Sequence, residues 1–181
     1  MELFSKNNNL IDIKNYIDKK ILEFIKNEKN EKIKEIMIHS LTDGKRIRPI
    51  ICYLTFKNYN NYLNFDEEIF SKLILIPELL HNISLIIDDL PCMDNDIIRR
   101  GKETTHNKFG VLPSYIAISK IMYNISHYFR YELKINKQIN FKNKKGEIEK
   151  IWLRDFILDY YVNILNNLLE GQLEDLKFDN M

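Results

Sequence analysis

The chain has 181 residues and a mass of 21.8 kDa, a one-domain length that folds without a disulfide or metal staple. Its 45% hydrophobic and 29% charged residues exclude a disordered or fibrous protein. The 27 basic and 26 acidic residues nearly cancel, so no global field draws the chain to nucleic acid or a membrane surface.

Met1 to Leu10 carry Glu2, Lys6 and three asparagines, without the apolar core of a signal peptide. Apolar residues at 13, 17, 21, 22 and 25 then predict an amphipathic helix over Ile11 to Ile25. A second is expected from about Glu31 to Leu41, with Ile33, Ile36, Met37 and Leu41 on one face. Asp43-Gly44 breaks it, and Pro49 suits the first turn of a third helix through Phe56. The strongest pattern runs from Glu67 to Leu90, where apolar positions 69, 73, 76, 80, 83, 87 and 90 step by three and four and Pro77 predicts a bend. Its apolar stretch, Leu73 to Ile87, contains Pro77, Glu78, His81 and Asn82 and is too short to span a bilayer. Further helices fit Ser114 to Leu133 and about 151–176, with the Lys- and Asn-rich tract 134–150 between them as a solvated loop. No segment alternates at period two long enough to argue a sheet, so the expected fold is all-α, a single domain over 1–181. Ile, Lys and Asn supply 71 residues and Ala one, a bias that resembles pressure toward AT-rich codons and weakens arguments from propensity. Cys52 and Cys92 form no framework or metal spacing, so a reducing, cytoplasmic setting is expected.

The chemistry concentrates at the end of the long helix, where Asp88, Asp89, Pro91, Asp94 and Asp96 follow one another. A helix C-terminus carries partial negative charge, so several carboxylates there repel both it and one another. A divalent cation would remove that repulsion, and Mg²⁺ is typically held by one or two carboxylates plus substrate phosphates. Pro91 interrupts the helix and lets the chain bulge, bringing Asp94 back toward Asp88. An exposed acidic turn is the alternative. Arg99-Arg100-Gly101-Lys102 follow closely, and Gly44-Lys45-Arg46-Ile47-Arg48-Pro49 lie upstream. Arg46, Arg48, Arg99 and Arg100 are four of only six arginines, so pairing with carboxylates competes with an anion site as their explanation. Metal-holding carboxylates beside phosphate-holding arginines make a site for a metal-complexed diphosphate, and the distant basic segment suits a second anion.

At these residues the sequence resembles the trans-isoprenyl diphosphate synthases, the polyprenyl synthetase family that includes farnesyl and geranylgeranyl diphosphate synthases. The stretch 84–96 with Arg99-Arg100-Gly101-Lys102 is similar to that family's first aspartate-rich motif, with the Pro-Cys insertion of its bacterial and plant form. Residues 44–49 resemble its Gly-Lys-Arg-x-Arg-Pro motif, His81 falls where it has a histidine, and Gly171-Gln172-Leu173-Glu174-Asp175 resemble its Gly-Gln-x-x-Asp helix. The likeness is dense over 44–110. It implies an isoprenoid-synthase helical bundle, N-terminal part only, acting in isoprenoid biosynthesis. Asp88 and Asp94, supported by Asp89, would hold Mg²⁺. Arg99 would contact an allylic diphosphate, dimethylallyl or geranyl. Lys45, Arg48, His81 and Arg100 would bind isopentenyl diphosphate, and Ile83 and Ser84 would help floor the pocket that sets product length. The family expectation for assembly is a homodimer.

The sequence also departs from that pattern. Ile87 stands for a histidine, Asp43 for the first glycine of the basic motif, and Ser114-Tyr115 follow a deletion where a Gly-Asp pair is usual. The family's second aspartate-rich motif has no match before Met181, and Asp175 and Asp179 do not supply it, so a truncated synthase with impaired catalysis is expected. A non-catalytic partner subunit that binds Mg-diphosphate or a full-length synthase is the alternative. A terpene cyclase fits less well, because Lys45, Arg48 and Arg100 would have no second diphosphate to hold. Glu78…His81 and Glu103…His106 match di-iron spacing, but Pro91 and Gly101 separate them and bridging glutamates are missing. His127 and the aromatics Phe129, Trp152, Phe156 and Tyr160 read as packing residues.

Overall fold

The computed structural model describes residues 9–63, 70–71, 73–132, 137–143 and 145–178. The expected helix start at 67–69, the junction at 133–136 and Asp179 lie outside them. Contacts group the chain into two compact units, 1–121 and 122–181.

In the first unit, α1 (Leu10–Lys26) begins with a reciprocal cap. The Asn9 side chain accepts from the Ile11 and Asp12 amides, and Asp12 accepts from the Asn9 amide, which satisfies donors that the first turn leaves orphaned. Ile13, Ile17, Ile21 and Ile25 recur every four residues and are all buried. They pack α1 against α2 (Glu31–Leu41) and α3 (Ile47–Leu63). Asn30 caps α2, whose Ile36, Met37 and Leu41 face the core. The third helix runs past the expected Phe56.

The long helix expected from Glu67 is interrupted. Residues 74–75 form a turn, and α4 (Ile76–Asp88) starts afresh with Pro77 in its first turn. Proline needs no backbone partner there, so Pro77 opens a helix instead of bending one. Leu79, Leu80, Ile83 and Ile86 bury α4 against α2 and α3. A short antiparallel hairpin follows, β1 (Ile98–Arg99) with β2 (Lys102–Glu103). It leads into α5 (Thr105–Phe109) and α6 (Val111–His127). Gly110, at φ 96°, separates α5 from α6, so this region starts earlier than the expected Ser114 and in two pieces.

The second unit contains the end of α6, a π-helical turn at Tyr128–Glu132, strands β3 (Gln138–Lys142) and β4 (Ile148–Trp152), and α7 (Leu153–Phe178). The strands correct the solvated loop expected over 134–150 and, with β1–β2, the expectation of no sheet. They pair antiparallel from Gln138↔Trp152 to Lys142↔Ile148, with Gly146 at φ 87° in the connection. Charged and Asn residues on the exposed face hid the pattern, because a lone hairpin needs no continuous apolar alternation. Phe141 packs on Phe156 at 5.3 Å and Phe129 on Tyr161 at 5.4 Å between ring centres, so Phe129 and Phe156 are packing residues. The fold remains all-α in class, with two hairpins attached.

Candidate active site

All the charged residues singled out in the sequence, except those of the last helix, fall in the first unit. The acidic end of α4 is shaped by Pro91, which has no amide to continue the helix. The chain turns back on itself: the Leu90 amide donates to the Ile87 carbonyl at 3.1 Å, and the Asn95 amide to the Leu90 carbonyl at 3.1 Å. The Asp94 amide donates to the Asp88 carbonyl at 2.9 Å. That bond brings the main chain of Asp94 back to Asp88 across the bulge, as expected from the interruption at Pro91. Asn95 sits at φ 53°, a left-handed position that asparagine tolerates better than most residues.

The second wall is the β1–β2 hairpin. Its two-residue turn, Arg100-Gly101, has both residues at positive φ, 55° and 78°, the geometry that matches the twist of a tight hairpin. Thr104 ties this hairpin to the acidic loop, its amide donating to the Ile97 carbonyl and its hydroxyl to the Asp96 carbonyl. The turn directs Arg100 toward α4, where its guanidinium meets His81 Nε2 at 3.4 Å. Arg99 turns the other way and donates to Asp89 Oδ1 and, at 3.0 Å, to Asp96 Oδ2. Asp89 is therefore a buried partner of Arg99, at 4% exposure. Burial pushes its carboxyl above the usual range, although Arg99 pulls it down; the charges of Asp96 and Asp88 add to the rise. Burial alone would lower Arg99, but the Asp89 hydrogen bond and the charges of Asp89, Asp96 and Asp88 outweigh it and the net shift is upward.

The upstream basic segment leads into the start of α3. Lys45 and Arg48 are exposed and Arg46 is buried. Burial lowers the His81 pKa, and the positive charges of Arg48, Arg100 and Arg99 lower it further against the opposing pull of Glu78. The charges of Arg48, Arg99 and Arg100 thus all act on the His81 ring. Arg46 does not join them: its guanidinium donates to Asp18, Glu78 and the Leu41 carbonyl. Arginine clustering in sequence left an anion site and carboxylate pairing as alternatives; Arg46 is paired with Asp18 and Glu78, and Arg99 with Asp89 and Asp96. Glu78 is likewise committed to Arg46, which removes it from a di-iron set. Of the two expected pocket-floor residues, Ile83 is fully buried, and Ser84 is half-buried with its hydroxyl donating to the His81 carbonyl.

Sequence reasoning missed several contacts that hold these walls. His39 Nε2 donates to the Glu103 carbonyl at 2.8 Å, and its ring meets Phe109 edge-on. Lys102 donates to the His39 carbonyl and to Asp43, 3.3 Å away. Asp43, at φ 65°, thus uses the carboxylate that replaces a glycine to join the basic loop to the hairpin. Only that replacement offered a signal in the sequence; Asp18 and His39 offered none.

Among the described residues no three carboxylate, imidazole or thiolate groups converge into a metal cage. Mg²⁺ does not require one, since it retains waters and takes one or two carboxylates with substrate phosphates. Half-buried Asp88 and exposed Asp94, joined through the 2.9 Å backbone bond, match that donor chemistry. Asp89, turned to Arg99, does not.

Solved isoprenoid synthases share this fold. A geranyltranstransferase from Thermotoga maritima superposes with a TM-score of 0.74 at 23% identity, covering 96% of this chain and 57% of the other. A geranylgeranyl pyrophosphate synthetase from Pyrococcus horikoshii Ot3 superposes with a TM-score of 0.71 at 28% identity, covering 99% and 48%. Residues 30–181 match the family described as polyprenyl synthetase, and the chain belongs to that family. Over 80 residues it is 45% identical to geranylgeranyl pyrophosphate synthase 10, mitochondrial, of Arabidopsis thaliana, covering 44% of this chain and 22% of that protein. Over 88 residues it is 39% identical to the farnesyl diphosphate synthase of Bacillus subtilis (strain 168), covering 48% and 28%. The chain spans about half the length of the solved structures it matches. No helix among the described residues is long and apolar enough to cross a membrane.

Proposed function

We propose that this chain carries the allylic and isopentenyl diphosphate sites of a short-chain prenyltransferase that forms farnesyl or geranylgeranyl diphosphate. The observation that carries the reading is the tying together of three segments: the Asp88/Asp94 bulge, the Arg99-Arg100 hairpin whose Arg100 meets His81, and the basic loop joined to that hairpin through Asp43 and Lys102. Asp88 and Asp94 would hold Mg²⁺, which when bound neutralises the departing diphosphate. Arg99 exchanges its contacts with Asp89 and Asp96 for phosphate oxygens. Lys45, Arg48, His81 and Arg100 bind isopentenyl diphosphate as forks and point charges. The allylic C–O bond breaks, the alkene of isopentenyl diphosphate forms the new C–C bond, and a proton leaves. Apolar helix walls would keep water from the allylic cation. Ile83 and Ser84 would set product length. A homodimer and a cytoplasmic place of action belong to the same reading.

The test is incubation with radiolabelled isopentenyl diphosphate, dimethylallyl or geranyl diphosphate and Mg²⁺, followed by product chromatography and by calorimetric binding of an inert allylic analogue. An extended prenyl product that is lost in Asp88→Ala and Asp94→Ala supports the enzyme. Binding without product, lost in the same variants, supports the partner-subunit alternative. Neither product nor Mg²⁺-dependent binding overturns both.

A further inference from the structure

Arg46 and its partner Glu78 are the most completely buried charged residues described, each at 2% exposure, and no part of the proposed chemistry uses Arg46. Its guanidinium spans three helices. Nε donates to Asp18 Oδ1 of α1 at 2.7 Å, NH1 to Glu78 Oε1 of α4 at 3.0 Å, and NH2 to the Leu41 carbonyl closing α2 at 2.8 Å. The backbone is bent to allow this, since Arg46 sits at φ 58°, a left-handed conformation that is costly for a residue with a Cβ. Gly44 is packed onto the same group: a Cβ there would lie 2.4 Å from Arg46 NH1 and 2.8 Å from Glu78 Oε1. Such strain and close approach persist only where surrounding contacts over-determine them.

The flanking residues point outward. Gly44, Arg46 and Pro49 are buried, whereas Lys45 and Arg48 are exposed. Fixing the Arg46 side chain inside therefore fixes the direction in which its neighbours leave the loop. We propose that Arg46 is a positioning residue: its buried ion pairs with Asp18 and Glu78 aim Lys45 and Arg48 at the second diphosphate. The Glu78 link is the informative one, because α4 also carries His81 one turn further on. A single guanidinium thus sets the basic loop in register with the helix bearing the remaining ligand. The inference rests on the proposed diphosphate site.

A double-mutant cycle on the 181-residue chain tests it, with inorganic diphosphate as the probe in calorimetry. Lys45→Ala is expected to weaken binding about tenfold in the wild-type background. In Arg46→Met/Glu78→Gln, where the anchor is gone and no unpaired carboxylate is left buried, Lys45→Ala is expected to cost less than about threefold, because Lys45 is already misdirected. Glu78→Gln alone retains an oxygen for NH1 and keeps the wild-type cycle. A merely structural anchor would lower stability yet leave the Lys45 effect unchanged, and an equal loss in both backgrounds overturns the proposal. If the anchor variant does not fold, Gly44→Ala displaces the guanidinium without removing a charge and is held to the same criterion. If Lys45→Ala and Arg48→Ala have no effect in the wild type, the diphosphate site itself fails and Arg46 has nothing to aim, a result distinct from an equal loss.

Discussion

Truncating Glu78 to alanine removes one of the three acceptors around Arg46, and the structure sets the size of the effect. The two side chains are 3% and 1% exposed, so water cannot replace the lost carboxylate. A hydrogen bond to a charged group contributes about 1.5–3 kcal/mol, and breaking a buried ion pair from one side costs about 3–5 kcal/mol. Asp18 and the Leu41 carbonyl still hold the guanidinium, which places Glu78→Ala near the bottom of that range, about 3 kcal/mol. Asp18 is 32% exposed, so solvent screens its half of the arrangement, and Asp18→Ala is expected to cost about 1 kcal/mol. Urea unfolding followed by amide exchange in α1, α2 and α4 measures both. Trp152, the sole tryptophan, belongs to the other unit and would report on the wrong one. A loss below about 1 kcal/mol for Glu78→Ala, or equal losses for the two variants, would refute the reasoning from burial.

Three further outcomes follow from the geometry. Ile17 has no exposed surface at the centre of α1, so Ile17→Ala is expected to lower unfolding free energy by about 2–5 kcal/mol and Ile17→Val by about 1, read from urea midpoints. Gly101 has open space where a Cβ would go but φ 78°, so Gly101→Ala should cost about 1 kcal/mol through the backbone alone and weaken diphosphate binding through the misplaced turn; unchanged binding would sever the hairpin from the site. The His81 pKa lies below its ordinary 6.5 because of burial and the charge of Arg48. The unfolded imidazole therefore takes up a proton that the folded one resists, so stability falls as pH drops below about 6.5 and its slope vanishes above. An NMR titration placing the His81 ring at or above 6.5 would contradict this.

Much of the first unit was legible in the sequence because its signals are local. The four-residue repeat of isoleucines in α1, the Asp43-Gly44 break and the Pro91 interruption each act within one or two turns. Pro77 was legible but misread, since the same missing amide can bend a helix or start one, and only packing of the preceding segment decides. The β3–β4 hairpin was hidden because its strands are mostly polar and lean on α7 through Phe141.

At the site, the sequence by itself determined the inventory of carboxylates, arginines and a histidine, together with the bulge that returns Asp94 to Asp88. Tertiary structure decided which charges serve which purpose. Arg46 and Arg48 are two residues apart and chemically identical, yet one lies buried between Asp18 and Glu78 while the other remains exposed, with its charge acting on His81. Asp88 and Asp89 are adjacent, yet Asp89 is drawn inside to Arg99. A side chain's role depends on the direction in which its backbone presents it and on the partners arriving from distant segments, and neither quantity is written in the spacing of residue types.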